Sequence, residues 1–326
     1  MQSNLNGYFK IEDLGKVLVV RINGGPHAVL GAHLAEQLES LVDRADRDPN
    51  IHAVVFTGTH PDRFISHVDV QWLLGGKFPV PALGVRGASL LVWLARNANR
   101  LRVLDFLVRL TPLWPAVQLE RMHQTLLRMN RSGTVFVAAL NGSALSLGAE
   151  FAWACDVRIM ADGDFFIGLP EILFAMPPGG SGSQRLTRLI GTHKSLVAIL
   201  EGKPFTPAEA LGNGAVDEVV PQDQVVARAI EIAEHLGLRS KKAIAAGKRA
   251  VYFGSSMSLI DGLKLEHAEF LSRLLSKEAK GLMSGYIKAT EVTGELPYYN
   301  PKAYAQALAS GSMKNIAAQD QKKVNN

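Results

Sequence analysis

The first half of the chain alternates short, β-branched apolar runs with segments of helical spacing, and this alternation constrains the fold most. KVLVVRI (16–22) reads as a strand. HLAEQLESLVDRADRD (33–48) places Leu34, Leu38, Leu41 and Val42 at helical spacing. HAVVFTG (52–58) is again β-branched and ends in glycine, and TVFVAAL (134–140) repeats the signal. DVRIM (156–160) and the phenylalanines of DFFIG follow. Strand, helix, strand predicts an α/β chain with crossover connections.

Residues 71–131 interrupt this pattern. The centre of the interruption, ASLLVWLARNANRLRVLDFLVRL, sets Leu90, Leu94, Leu101, Leu104 and Val108 near one face of a helix. Arg96 and Arg100 fall on the other side, with Arg102 and Arg109 at the flanks. Three readings are open for such a segment: a surface helix packed on its own core, a lid over an anionic ligand, or contact with a membrane surface. From residue 206 the pattern is helical. In TPAEALGNG, Thr206 takes an N-cap position, Pro207 the first helical position and Glu209 the capping-box position. Helical patterns continue to about 290, and the polar SMKNIAAQDQKKVNN reads as a frayed end. The expected division is a core over 1–225 with the insert at about 71–131, a helical region over 226–300, and a polar tail over 301–326.

Composition narrows the function classes. With 326 residues, 47% hydrophobic and 20% charged, the chain can bury a large core without covalent staples. Its one cysteine, Cys155, allows no intramolecular disulfide and reads as a small buried apolar residue. The net charge of +5 suits an anionic ligand, a membrane surface or nucleic acid without choosing among them. Residues 80–131 hold eight arginines against Asp105 and Glu120 only. No apolar run approaches the roughly 20 residues that span a bilayer. The start, MQSNLNGYFKIEDLGKV, lacks the basic-then-apolar order of a signal peptide, so a cytoplasmic protein is expected. Dinucleotide and phosphate-loop glycine fingerprints are missing, as is the aromatic–basic interleaving that binds single-stranded nucleic acid. His123 and His193 lack metal-ligand spacing and read as structural.

Two glutamates break apolar surroundings. In NGSALSLGAEFAWACD (141–156), Glu150 sits amid small apolar residues. A buried, unpaired carboxylate is costly, so Glu150 faces water, a partner or a site. In IGLPEILFAMPPGGSGSQRLTRLIG (167–191), Glu171 precedes an apolar run, PPGGSGS is a flexible turn and SQRLTRLIG starts a helix. Two facing carboxylates whose environments separate their pKa values can divide acid and base work, or hold one water between them. By spacing alone, two surface residues are the commoner reading of such a pair.

These stretches, with FTPAEALGNGAVDEVVP, resemble the enoyl-CoA hydratase/isomerase family, the crotonases. The resemblance is carried by Asn141, Gly142, Ala144, Leu145, Gly148, Glu150, Cys155 and Asp156, and then by Gly168, Pro170, Glu171, Gly179, Gly180, Gln184, Arg185 and Leu186. It implies a spiral of ββα turns with a C-terminal helical region that packs in trimers, often paired into hexamers. It implies an acyl-CoA thioester substrate, no metal and no separate cofactor, since CoA is part of the substrate. By matching position, the backbone N–H groups of Val68 and Leu147 would form the oxyanion hole. Glu150 and Glu171 would be the acid/base pair that adds water across a 2-enoyl-CoA, with His67, Asp69, Gly148 and Pro170 beside the substrate.

The sequence also departs from the family pattern. His67-Val68-Asp69 stands where glycine-alanine-aspartate is usual, and Ser146-Leu147-Gly148 where three glycines are usual. The turn begins PPGG, and the insert is long and arginine-rich. The two glutamates imply retained water chemistry; the bulk of Val68 and Leu147 implies an altered or poorer acyl-CoA site. Hydratase is therefore the first expectation, with a 3-enoyl to 2-enoyl-CoA isomerase or a weakly catalytic acyl-CoA-binding protein as alternatives. Asp156 reads as a structural acceptor, and His67 as a loop histidine or a substrate contact. Ser146 reads as no nucleophile, because no glycine-x-serine-x-glycine surrounds it.

Overall fold

The computed structural model describes residues 7–74 and 82–315. In the first half, β1 (Tyr8–Asp13) and β2 (Val17–Asn23) form a hairpin, followed by α1 (Ala32–Arg47), β3 (Ala53–Gly58), β4 (Arg63–Ile65) and the short α2 (Val70–Leu74). The insert contributes α3 (Val85–Arg100), α4 (Asp105–Val108) and α5 (Trp114–Met129). Then come β5 (Val135–Leu140), β6 (Ser143–Leu145), α6 (Leu147–Ala154), β7 (Val157–Ala161) and β8 (Ile167–Gly168). The rest is α7 (Gly182–Ile190), α8 (Thr192–Glu201), α9 (Pro207–Asn213), β9 (Glu218–Val220), α10 (Val225–Gly237), α11 (Lys241–Tyr252), α12 (Leu259–Leu274), α13 (Lys277–Thr293) and α14 (Pro301–Ser310).

The large sheet runs β1-β2-β3-β5-β7-β9, parallel except for the β1–β2 hairpin. Its central strands are covered on both faces, which is why they read as unbroken apolar runs. Along β2 the period of two splits the side chains between two cores. Leu18, Val20 and Ile22 meet α1, α5 and α6 on one side; Val17 and Val19 meet α10 on the other through Val225, Ala229 and Ala233. A second sheet, β4-β6-β8, is parallel throughout. Its strands are three, three and two residues long, so all three carboxyl ends open on the same side.

Several expectations change at element edges. Phe165 and Phe166 precede the strand, and Ile167–Gly168 form it. The capping box forms at Thr206, whose hydroxyl accepts the Glu209 N–H while the Glu209 carboxylate accepts the Thr206 N–H. The tail does not start at 301. Asn300 accepts the N–H groups of Lys302 and Ala303 ahead of Pro301, and these caps start α14. The frayed end expected for 312–326 lies largely in residues 316–326, outside the described residues.

The leucine stripe of α3 is also reversed. Leu90 and Leu94 are 57% and 41% exposed, while the buried residue is Ala95. Small Ala95 lets α3 approach α5 closely, which leaves the leucines outward. Half of the insert's eight arginines pair with acids of the chain: Arg96 with Glu120 at 3.2 Å, Arg102 with Glu39, Arg121 with Asp105 at 2.5 Å, and Arg128 with Asp43 and Asp46. Arg109 stacks over Trp114 at 4.9 Å.

Two lysines of α11 tie the C-terminal helices to the core. Lys241 Nζ donates to the carbonyls of Ala45, Asp48 and Ile51 at 2.7–2.9 Å, which closes the C-terminal end of α1. Lys248 Nζ reaches the Thr134 carbonyl and Asp156 Oδ2.

Candidate active site

The small parallel sheet gathers the expected site residues. β4 leads to His67, Val68 and Asp69; β6 leads through Ser146 to Leu147, Gly148 and Glu150; β8 leads to Pro170 and Glu171. In open parallel sheets, ligands bind beyond the carboxyl ends of the strands, and that is where these residues lie.

Glu150 and Glu171 are both buried, with 2% and 8% of their surface exposed. Glu150 is on the first turn of α6, and its Oε1 accepts the N–H groups of Gly180 and Gly182 at 2.8 and 2.7 Å. Burial, offset by the Gly182 N–H and reinforced by the nearby charge of Glu171, pushes its pKa up to about 7. Glu171 begins a 3₁₀ turn, Glu171–Phe174. Its Oε2 is buried with no hydrogen-bond partner among the described residues. Burial raises its pKa as well, and the Ser146 hydroxyl facing it pulls the other way.

Two backbone N–H groups stand free beside this pair. Among the described residues, neither Val68 N–H nor Leu147 N–H donates a hydrogen bond. Val68 is fixed by its neighbours: the His67 carbonyl accepts the Leu30 N–H, and the Asp69 N–H donates to the Leu30 carbonyl. Leu147 is the first residue of α6, where an N–H has no partner within the helix. Ser146, just before it, has φ 53° and ψ −126°, a strained conformation for a residue with a side chain.

Two glycines are required by close approach. A Cβ at Gly148 would lie 2.0 Å from the Ile65 carbonyl oxygen, and one at Gly180 would lie 2.1 Å from Glu150 Oε2 and 2.7 Å from Leu147 Cδ1. Gly148 thus packs α6 against β4 and frames the site. The Leu147 side chain is buried against the glycine turn. Asp69 accepts the Gln71 N–H at 2.8 Å and so starts α2. His67 is exposed, and its Nδ1 lies 2.6 Å from the Val68 carbonyl oxygen. Pro170 is half-buried and caps the turn of Glu171.

Reasoning from sequence named Gly180 and Arg185 as marks of the resemblance but gave them no part in holding Glu150. Arg185 donates to Asn130 Oδ1 and Ser181 Oγ, both at 2.7 Å, and so clamps the turn that carries Gly180 and Gly182. The glycine run in PPGGSGS was the available signal. Asp156 is a structural acceptor, taking the Phe136 N–H, Lys248 Nζ and the Tyr252 hydroxyl. Cys155 is fully buried, and burial raises its thiol pKa. A pocket of about 310 Å³ lined by His193, Lys203 and Glu209 among others shares no lining residue with the glutamate site. No group of three or more His, Cys, Asp or Glu side chains converges as a metal site among the described residues. No described helix is long and apolar enough to cross a membrane.

Comparison with known proteins agrees with the geometry. Residues 115–291 match the family model described as enoyl-CoA hydratase/isomerase. A probable enoyl-CoA hydratase of Bacillus subtilis is 28% identical over 274 residues, 83% of this chain and 92% of that protein. The fatty acid oxidation complex subunit alpha of Idiomarina loihiensis is 31% identical over 216 residues; the match takes in 66% of this chain but only 26% of that longer protein. The crystal structure of an enoyl-CoA hydratase from Bacillus anthracis superposes with a TM-score of 0.67 over 87% of this chain and 96% of that one, at 24% identity.

Proposed function

The chain belongs to the enoyl-CoA hydratase/isomerase family, and on that footing we propose that it adds water across the double bond of a 2-trans-enoyl-CoA to give a 3-hydroxyacyl-CoA. One observation carries the reading: two buried carboxylates stand at neighbouring strand ends beside two unbonded backbone N–H groups.

The chemistry follows from that arrangement. The thioester oxygen accepts the N–H groups of Val68 and Leu147, where the enolate charge of the transition state collects. Glu150, with Oε1 fixed by Gly180 and Gly182, takes a proton from water through Oε2. The water oxygen bonds to C3, and Glu171 gives a proton to C2. A base with a pKa near 7 is ionised for much of the time at neutral pH and still strong enough to accept a proton. Burial of Glu171 favours its protonated form, the form that can give a proton to C2. Gly148 and Asp69 keep the frame, while His67 and Pro170 border the substrate. The scheme uses no metal and no cofactor, since CoA arrives with the substrate.

Retention of both glutamates favours hydration over double-bond migration. The packing of Leu147 against Gly180 favours the other reading, a protein that binds acyl-CoA and turns it over slowly. We assign the exposed Leu259, Ile260, Phe270 and Leu275 of α12 and its C-cap, a helix with no buried residue, to the interface of a homotrimer, singly or paired into a hexamer. The assigned location is the cytoplasm.

The test is loss of the conjugated thioester absorbance of short and long 2-enoyl-CoA. Hydration that falls by several kcal/mol of transition-state stabilisation in both Glu150→Gln and Glu171→Gln, with binding kept, supports the reading. Binding without hydration at any chain length sinks it, and 2-enoyl product from a 3-enoyl substrate points to the isomerase.

A further inference from the structure

We infer that Ser146 is a nucleophile and that the same site also hydrolyses acyl-CoA thioesters through an acyl-serine intermediate. The inference rests on the oxyanion donors and Glu171 of the hydratase reading and adds a reaction to them.

The backbone points there first. Ser146 is the single residue between β6 and α6 and sits at φ 53°, ψ −126°. A non-glycine residue held there costs about 1–3 kcal/mol, and such strain persists only where the surroundings enforce it. They do so here: the Ser146 N–H donates to the Gly168 carbonyl at 2.9 Å, and its carbonyl accepts the Glu150 N–H at 3.0 Å. A strained serine on a sharp strand-to-helix turn, followed by a residue whose N–H is free, is the geometry of a nucleophile elbow. The second donor comes from another loop, as in such elbows, and here it is Val68.

The sequence concealed this arrangement because only half of the glycine pattern is present. Gly148 holds the position two residues after the serine, where its lack of a side chain is required. Ala144 holds the position two residues before it and is fully buried, small enough to fit. The family resembled here carries glycine where Ser146 stands and has no hydroxyl to offer. Ser146 is half-buried, so a ligand can reach it. The Ser146 N–H bond to the Gly168 carbonyl sets the serine at the end of β8, three residues before Glu171, whose Oε2 is buried and unpartnered among the described residues. Glu171 thus stands where a serine hydrolase carries its histidine.

The steps balance. Glu171 takes the Ser146 hydroxyl proton as Oγ bonds to the thioester carbon, and the oxyanion rests on the Val68 and Leu147 N–H groups. The C–S bond breaks, and Glu171 returns the proton to the departing CoA sulfur. Glu171, ionised again, then takes a proton from a water whose oxygen bonds to the acyl carbon, and returns that proton to Ser146 Oγ as the bond between Oγ and the acyl carbon breaks. The sum is acyl-CoA plus water giving a carboxylic acid and CoA thiol.

The experiment uses octanoyl-CoA, a saturated ester that cannot be hydrated, with the full-length protein. CoA release is followed with a thiol reagent, and quenched samples are mapped by mass spectrometry. Expected are CoA release, an octanoyl ester on Ser146, and a fall in release on the order of 100-fold or more in Ser146→Ala. Ser146→Cys should carry the octanoyl group as a thioester at the same position, which keeps the test valid if Ser146→Ala misfolds. No CoA release, equal release from wild type and Ser146→Ala, or an acyl group found only elsewhere would overturn the inference. Wild-type hydration of 2-enoyl-CoA is measured in parallel. Hydration without CoA release sinks this inference alone, CoA release without hydration sinks the hydratase reading alone, and neither reaction sinks both.

Discussion

Glu150→Gln should make the protein more stable while it disables hydration. The substituted side chain would keep an amide oxygen for the N–H groups of Gly180 and Gly182, and nothing else need move. The glutamate is raised from an ordinary 4.5 to about 7, chiefly by burial. The folded state therefore binds more protons than the unfolded state between those values, and stability falls as pH rises through that window. Below about pH 4.5 the carboxylate carries no such cost; above about pH 7 the cost is complete, near 3 kcal/mol at 1.36 kcal/mol per pKa unit. The neutral amide removes this dependence. Urea unfolding at fixed protein concentration, followed by tryptophan fluorescence from pH 5 to 8, should show the two proteins diverging. The variant should lead by roughly 3 kcal/mol at pH 8, and the gap should close toward pH 5. Parallel curves, or a variant less stable at pH 8, would refute the claim that Glu150 is a desolvated ionisable group held against its preference.

Hydration by the wild type should rise with pH through an apparent value near 7, as Glu150 ionises; a rate flat from pH 6 to 8 would remove Glu150 as the base. Gly180→Ala should cost about 1–3 kcal/mol in urea unfolding and most of the activity, because its Cβ would press on Glu150 Oε2 and Leu147. Asp156→Asn should cost about 3–5 kcal/mol, since the mostly buried Lys248 loses its charge partner; an unchanged urea midpoint would show that the pair contributes nothing.

What the sequence made legible were features with a strong local signal. KVLVVRI, HAVVFTG and TVFVAAL became β2, β3 and β5 almost residue for residue, because strands covered on both faces carry no polar alternation to blur them. The capping residues around Thr206 formed as written. The two glutamates were found because a carboxylate in apolar surroundings requires an explanation. What stayed hidden was non-local. The strands β4, β6 and β8 are too short to show any period, yet they bring Val68, Leu147 and Glu171 to one edge. The leucines of α3 mark a helix face, but whether that face turns inward depends on Ala95 and on α5. The backbone angle at Ser146 leaves no trace in composition, and the N–H groups that hold Glu150 belong to glycines thirty and thirty-two residues away.

The lysine ties of α11 bear on how such a chain is made. Lys241 meets its three carbonyls across 190 to 196 residues of sequence, and Lys248 meets Asp156 across 92. Contacts this distant close late, since the loop entropy must be overcome before they contribute. During synthesis from the N-terminus, the end of α1 has only the Thr134 hydroxyl and the Ile51 N–H on these carbonyls until α11 has left the ribosome. A nascent chain halted before residue 241 would already hold the strands of the large sheet and both Glu150 and Glu171, yet it would lack the Lys241 and Lys248 ties.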